Sequence, residues 1–301
     1  MIPGKGLSLP QPLQAVGFDD LVTTRNVTLF SSSAGEVAPN GHKEETKMIS
    51  IINDTKAMFW RSMLTTLRTP TAMVTSIALP AILMLLFINV FGGSMDVGDI
   101  NFANFIVPGI LANVLLQSSV STGIGVSEDM TKWIITRFRS MAISSSSFLT
   151  GHVLAAFLKT VITTTVTIGV AFLAGFRPTA SFTGWLTIIA LIVLFIFAIT
   201  WFAVWLGVVM ADAASVGGML QLTAIVVFLS PGMAPTENMP RFLRLFAENQ
   251  PLAPFINTMR TLMNGYSITD NSLQLAIIWW AGILLVMFAL TVHAYKRKLT
   301  V

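Results

Sequence analysis

The chain has 301 residues, of which 54% are apolar and only 11% charged, with a net charge of +4 and a mean hydropathy of +0.75. An ordinary soluble domain is roughly 25% charged, so a soluble chain of this size could not cover its surface with so few charges. The lack of cysteine excludes disulfide frameworks, thiolate metal sites and cysteine nucleophiles. The three histidines, His42, His152 and His293, stand far apart without an HExxH pattern, so no metal site is expected. In a membrane protein the basic surplus reports positive loops on one side and not nucleic-acid binding.

Residues 1–47 are rich in Pro, Ser, Gly, Thr and Asn and hold no apolar run long enough for a signal peptide. They read as a disordered cytoplasmic tail, with organised sequence beginning at Met48. Residues 48–70 read as an interfacial elbow helix. Ile52, Phe59, Trp60, Met63, Leu64 and Leu67 share one arc, and Asp54, Arg61 and Arg68 lie opposite. Lys56 falls on the apolar arc and would have to snorkel, and Thr69-Pro70 should break the helix before the membrane.

A membrane helix needs about 20 mostly apolar residues. Six spans are predicted: Thr71–Phe91 with Pro80 inside it, Phe102–Val126, Leu154–Phe176, Trp185–Met210, the short Gly218–Met233, and Leu273–Ala294. The runs are continuous and do not alternate with period two, which excludes a transmembrane β-barrel. The expected fold class is therefore an all-α polytopic membrane protein, with the six-span transmembrane domain covering 71–301. Lys56, Arg61, Arg68, Lys132, Arg137, Arg139, Lys296, Arg297 and Lys298 fall on one side of such a topology. Arg177, Arg241, Arg244 and Arg260 fall on the other, and the loop with Asp96 and Asp99 has no base. Both termini are predicted to be cytoplasmic.

Between the second and third spans, residues 127–141 read SEDMTKWIITRFRSM. Ser127 is placed to cap a helix, and Glu128 and Asp129 suit its first turn. Met130, Trp133, Ile134, Phe138 and Met141 then recur at helical spacing, interrupted by Lys132, Arg137 and Arg139. The pattern fits either an interfacial helix with a basic fringe or a knob that docks into a soluble partner. Residues 231–265 carry Pro231, Pro235, Pro240, Pro251 and Pro254 around short apolar pieces at Phe242–Phe246 and Phe255–Leu262. Non-helical backbone at membrane depth must be buried in protein or face water, and the segment is predicted to be broken and partly re-entrant.

Catalytic motifs are missing. The sequence has no GxxxxGK[ST] phosphate loop and no GxSxG elbow. No two carboxylates share a span, so a proton or sodium relay lacks support. Lys159 is the single ionisable residue well inside a span, and it is expected to snorkel from near the cytoplasmic end of the third. Asn113 and Gln117 lie one turn apart on the second span, with Ser121 one turn further. This stripe either lines a substrate path or bonds to a neighbouring helix. The stripe Thr160, Thr163, Thr164 and Thr167 is read as packing. A multi-span chain with a docking knob and no engine suggests the membrane half of a machine powered by another subunit.

The stretch GIGVSEDMTKWIITRFRSM, followed by Gly151-His152, resembles the cytoplasmic loop of type-2 ABC transporter permeases, in particular the daunorubicin-resistance permease subfamily. The likeness rests on Glu128-Asp129, Lys132 and Arg137-Phe138-Arg139-Ser140, and on APTENMPRFLRLFAENQPLAPFINTMRTLMNG before the last span. It runs from about Ile51 to the C-terminus. The chain departs from the family in Trp133, where the family has Gly, and in Ala142, where it has Pro. The resemblance implies an elbow helix, six spans and a re-entrant hairpin in a bacterial plasma-membrane permease. It implies an ATPase-coupling helix carrying Glu128, Asp129, Met130, Lys132, Trp133, Arg137, Phe138 and Arg139. It also implies two copies of a separate ABC ATPase, which hold ATP and Mg, and a second permease copy, identical or similar. The chain itself would bind no cofactor and would not be an enzyme. Amphiphilic drugs or antibiotics are the expected cargo, favoured by a chain with only two tyrosines, Tyr266 and Tyr295. The alternatives are a cell-envelope lipid or glycolipid as cargo, or a non-transporting membrane sensor or scaffold.

Overall fold

The computed structural model describes residues 55–56, 59–60, 62–64, 70–93, 100–131 and 145–300. The expected N-terminal tail lies outside them, as does the docking segment from Lys132 to Met141. All regular structure among the described residues is helical: α1 (Pro70–Phe91), α2 (Phe102–Thr131), α3 (Ser145–Leu173), α4 (Phe182–Val209), α5 (Ala213–Ile225), α6 (Arg241–Asn249), α7 (Leu252–Met263) and α8 (Ser272–Thr300), with 3-10 turns at Val226–Leu229 and Thr236–Asn238. Residues 55–56, 59–60 and 62–64 are also helical. Four helices, α2, α3, α4 and α8, are long and apolar enough to cross a membrane. The expected first and fifth spans correspond to shorter apolar helices, Ala78–Phe91 and Ala213–Leu229.

Several boundaries differ from the sequence reading. The helix predicted to start at Ser127 does not start there: α2 continues through it to Thr131. Ser127 is fully buried and its hydroxyl has no partner, so it caps nothing. The helix of the third expected span begins at Ser145, nine residues before the expected Leu154, and its membrane-length apolar stretch begins at Leu149. Its polar Ser-rich start reads as loop on hydropathy, yet nothing in it breaks a helix. The fifth helix begins at Ala213 and not at Gly218, because Asp212 caps it. Asp212 Oδ1 accepts the Ser215 N–H at 2.8 Å, and Oδ2 accepts the Ser215 hydroxyl at 2.8 Å. These hydrogen bonds hold the Asp212 carboxyl below the usual carboxylate range.

The core is organised around α2. Every residue from Phe102 to Leu116 is buried, so this half of the helix is enclosed on all sides. α2 packs against α1, α3, α4, α5 and α7, and α4 packs against α8. Phe195 of α4, Phe255 of α7 and Trp280 of α8 form one aromatic cluster, with centroid separations of 4.6 Å and 4.0 Å from Phe195. Such ring pairs add about 0.5–1.5 kcal/mol beyond area burial. Where α2 crosses α4, a Cβ on Gly207 would stand 2.6 Å from the Gly123 carbonyl oxygen, so only glycine permits this approach. Small residues at helix crossings give the close packing that drives association in lipid.

At one end of the bundle, three segments are locked by Asn104. Its amide donates to the Arg177 carbonyl and to Asn264 Oδ1, both at 3.0 Å, and its Oδ1 accepts the Arg177 N–H at 2.9 Å. Gly175 (φ 97°) and Gly265 (φ 74°) end α3 and α7 in the left-handed conformation. Phe176 N–H then reaches the Ala171 carbonyl and Tyr266 N–H the Thr261 carbonyl, both at 3.0 Å, in Schellman geometry.

Arg260, within the expected apolar piece Phe255–Leu262, sits in α7 and is partly buried. Its guanidinium lies 3.9 Å from the Phe105 ring centroid. It donates to the Phe105 carbonyl at 3.1 Å and the Pro231 carbonyl at 2.6 Å. It thus pins the break after the Val226–Leu229 turn onto α2. A Cβ on Gly109 would overlap the Gly232 backbone at the same place.

The Asp212 cap gives a pH prediction. Its folded pKa is depressed, so its contribution is complete above the ordinary carboxylate pKa of about 3.9 and is lost as pH falls through the folded value. Hydrogen exchange corrected for intrinsic rates should show the first turn of α5 losing protection below about pH 4. Asp212→Asn, which still caps but does not titrate, should remove that dependence. An unchanged pH profile in the variant would assign the effect to another group.

Candidate functional site

The α2–α3 hairpin gathers the polar chemistry of the bundle. Because α3 begins at Ser145, Lys159 sits at the middle of a 29-residue helix and not near its end. It does not snorkel. The side chain is buried and turns onto α2, where Nζ donates to the Ser118 carbonyl at 3.1 Å and to the Ser121 hydroxyl. Ser121 Oγ in turn donates to the Ser118 carbonyl at 3.4 Å. All acceptors of the ammonium are neutral; among the described residues it pairs with no carboxylate. A lysine at the centre of a spanning helix costs about 2.5–3.5 kcal/mol on insertion scales, and such residues mark functional sites by default.

The stripe Asn113, Gln117 and Ser121 runs along α2 from enclosed to open surroundings. Asn113 is buried, Gln117 half-buried and Ser121 exposed. Neither amide forms a hydrogen bond within the described chain. The stripe is therefore not saturated by neighbouring helices, and only Ser121 is engaged, by Lys159. The threonine stripe on α3 is buried as expected. Thr163 bonds back to the Lys159 carbonyl at 2.9 Å and Thr167 to that of Thr163 at 2.8 Å, whereas the Thr164 and Ser118 hydroxyls have no partner.

Two turns further along the hairpin, the acidic pair is divided. Glu128 is exposed, whereas Asp129 is buried. Asp129 Oδ2 lies 3.1 Å from His152 Nε2 on α3. His152 Nδ1 lies 3.4 Å from Ser62 Oγ, so the N-terminal helical segment joins the same network. Met130 packs inward, against the cluster of Val126, Leu149, Val153, Trp201, Val204, Val208 and Tyr295. Of the expected coupling residues among those described, Asp129 and Met130 pack into the end of the hairpin and Glu128 is exposed. Lys132, Trp133, Arg137, Phe138 and Arg139 lie outside the described residues.

Sequence reasoning missed the roles of Lys159, His152 and Arg260. The first two were open to inference from the hairpin. In two antiparallel helices, residues equidistant from the connection meet, and the pairs Asp129–His152 and Ser121–Lys159 satisfy that rule. Arg260 gave no such signal, because its partners are backbone carbonyls on separate segments.

The buried pair can be measured. His152→Ala should cost about 1–3 kcal/mol, since it leaves a buried carboxyl short of a partner. A double-mutant cycle with Asp129→Ala, read by thermal unfolding, should give a coupling of about 1 kcal/mol or more. Additive single effects would show that the two side chains do not interact.

Residues 53–264 match the family model of the ABC-2 type transporter. The chain is similar to the daunorubicin resistance ABC transporter permease protein DrrB1 of Streptomyces coeruleorubidus, at 25% identity over 278 residues, covering 92% of this chain and 97% of that protein. It is also similar to the probable doxorubicin resistance ABC transporter permease protein DrrC of Mycobacterium tuberculosis, at 25% identity over 195 residues, covering 65% of this chain and 70% of that one. A match over most of the chain, joined to an all-helical bundle with four membrane-length apolar helices, makes this protein a multi-pass membrane member of the ABC-2 type transporter family.

Proposed function

We propose that the chain is the membrane-spanning subunit of an exporter that moves amphiphilic drugs or antibiotics out of a bacterial cell, driven by a separate ATP-hydrolysing subunit. The observation that carries this reading is the family match over 53–264 in a chain whose sequence has no phosphate-binding loop. The names of its relatives, which describe resistance to daunorubicin and doxorubicin, support the cargo class.

In this reading α1 and α5 complete six spans, α5 being extended by its 3-10 turn. Both termini are cytoplasmic, and segment 231–265 re-enters the bilayer edge. Two copies of the chain, or this chain and a similar one, meet two ATPase subunits that hold ATP and Mg. The segment 132–141 that follows α2 couples the chain to the ATPase, and the last turn of α2 from which it leaves is held by Asp129 on His152. Glu128, Lys132, Trp133, Arg137, Phe138 and Arg139 are the contact residues. The cargo path runs along the open half of α2, lined by Gln117 and Ser121, with the Asn113 amide buried one turn beyond it; the unused Gln117 amide carries this placement, because a polar group at membrane depth must meet protein, water or ligand.

Large aromatic residues dominate interfaces when buried. Replacing Trp133 and Phe138 together by Ala should cost roughly 2 kcal/mol or more of ATPase binding, while the variant folds and inserts normally. Co-purification of the ATPase subunit with the tagged permease checks this. Undiminished recovery with full transport would exclude the docking role.

A further inference from the structure

We propose that Lys159, with Ser121 and Gln117, forms a binding site for the phosphate or carboxylate head of a membrane-soluble amphiphile. The inference rests on the export reading above for its biological role, but its chemistry stands on the geometry of the hairpin.

Lys159 is buried at mid-helix, where an ammonium has lost its water. Among the described residues its three N–H groups meet two acceptors, the Ser118 carbonyl and the Ser121 hydroxyl. Neutral acceptors satisfy hydrogen bonding and leave the charge uncompensated, and buried charges are ordinarily paired. A carboxylate or phosphate supplies both the third acceptor and the countercharge, in the charge-assisted bond that is roughly twice as strong as a neutral one.

The site is reachable. Ser121 is exposed on the open face of α2, and Lys159 stands directly behind it. One turn along, Gln117 is half-buried with its amide unused within the described chain. Val120 and Ile124 flank these groups and are themselves half-buried, which gives an apolar bed beside the polar head site. A few convergent polar groups in a mostly apolar surface is the usual composition of a small-molecule site. Glu128 is the nearest exposed acid along this face, and it lies two turns beyond Ser121, about 10.5 Å by helix rise.

The test uses the full chain in nanodiscs of phosphatidylcholine, with radiolabelled dodecyl phosphate, dodecanol and dodecyltrimethylammonium, and empty nanodiscs subtracted. Dodecyl phosphate should bind roughly tenfold tighter than dodecanol, and the ammonium compound more weakly than either, as one charged hydrogen bond implies. Lys159→Met should abolish the preference, and Lys159→Arg should keep most of it. Should the Met variant fail to fold, Lys159→Gln and the wild-type comparison decide. Equal binding of the three compounds, or an unchanged preference in the neutral variant, would overturn the proposal. The readout needs neither ATP nor the partner, so failure of the export reading would leave it intact, and its own failure would leave ATPase co-purification untouched. Repeating the titration with phosphatidylglycerol in the disc separates the sources of the anion. Competition identifies a lipid headgroup as the occupant, and its absence a free amphiphile, either result sustaining the site.

Discussion

Fifteen consecutive residues of α2, Phe102 to Leu116, have no exposed side, and the surrounding helices are arranged by the need to enclose them. Lipid offers no driving force between apolar surfaces, so the enclosure depends on close packing and on hydrogen bonds. Glycine supplies the first at Gly123 against Gly207 and at Gly109 against Gly232. Asn104 and Arg260 supply the second, each joining α2 to other segments. The irregular backbone at Ser230 to Gly232 is buried in protein, so its polar groups depend on internal partners. Gln250 reinforces it by donating to the Leu229 carbonyl at 3.0 Å.

The two ends of α2 are built differently. At the Asn104 end the contacts are reciprocal amide and backbone bonds. Beyond Leu116 the helix opens along Gln117, Ser121 and Glu128. The same stretch carries the Lys159 and His152 contacts from α3. The hairpin thus has one end enclosed by neighbouring helices and one end with an open polar face.

Much of this was legible in the sequence. Hydropathy located the centres of the apolar helices and the broken character of 231–265, because these depend on residue type alone. It misplaced the start of α3, since Ser145, Ser146 and Ser147 carry no apolar signal although they continue a helix. That single boundary moved Lys159 from a helix end to a helix centre, and so changed its expected behaviour from snorkelling to burial. The reading of Ser127 as a cap failed for a related reason: the cap residue types are favoured at helix starts, but they do not stop a helix already in progress. Asp212 shows the same preference acting where a helix does begin. The role of Arg260 was not legible, because backbone carbonyls carry no residue signature.

The central claim is that the chain is the passive half of an ATP-driven exporter. The most direct measurement is uptake of fluorescent doxorubicin into inverted proteoliposomes containing the permease, with and without a co-purified ABC ATPase. Uptake should require both subunits and ATP hydrolysis, and should stop when the ATPase is omitted. Uptake by the permease alone, or none with an active complex, would contradict the claim.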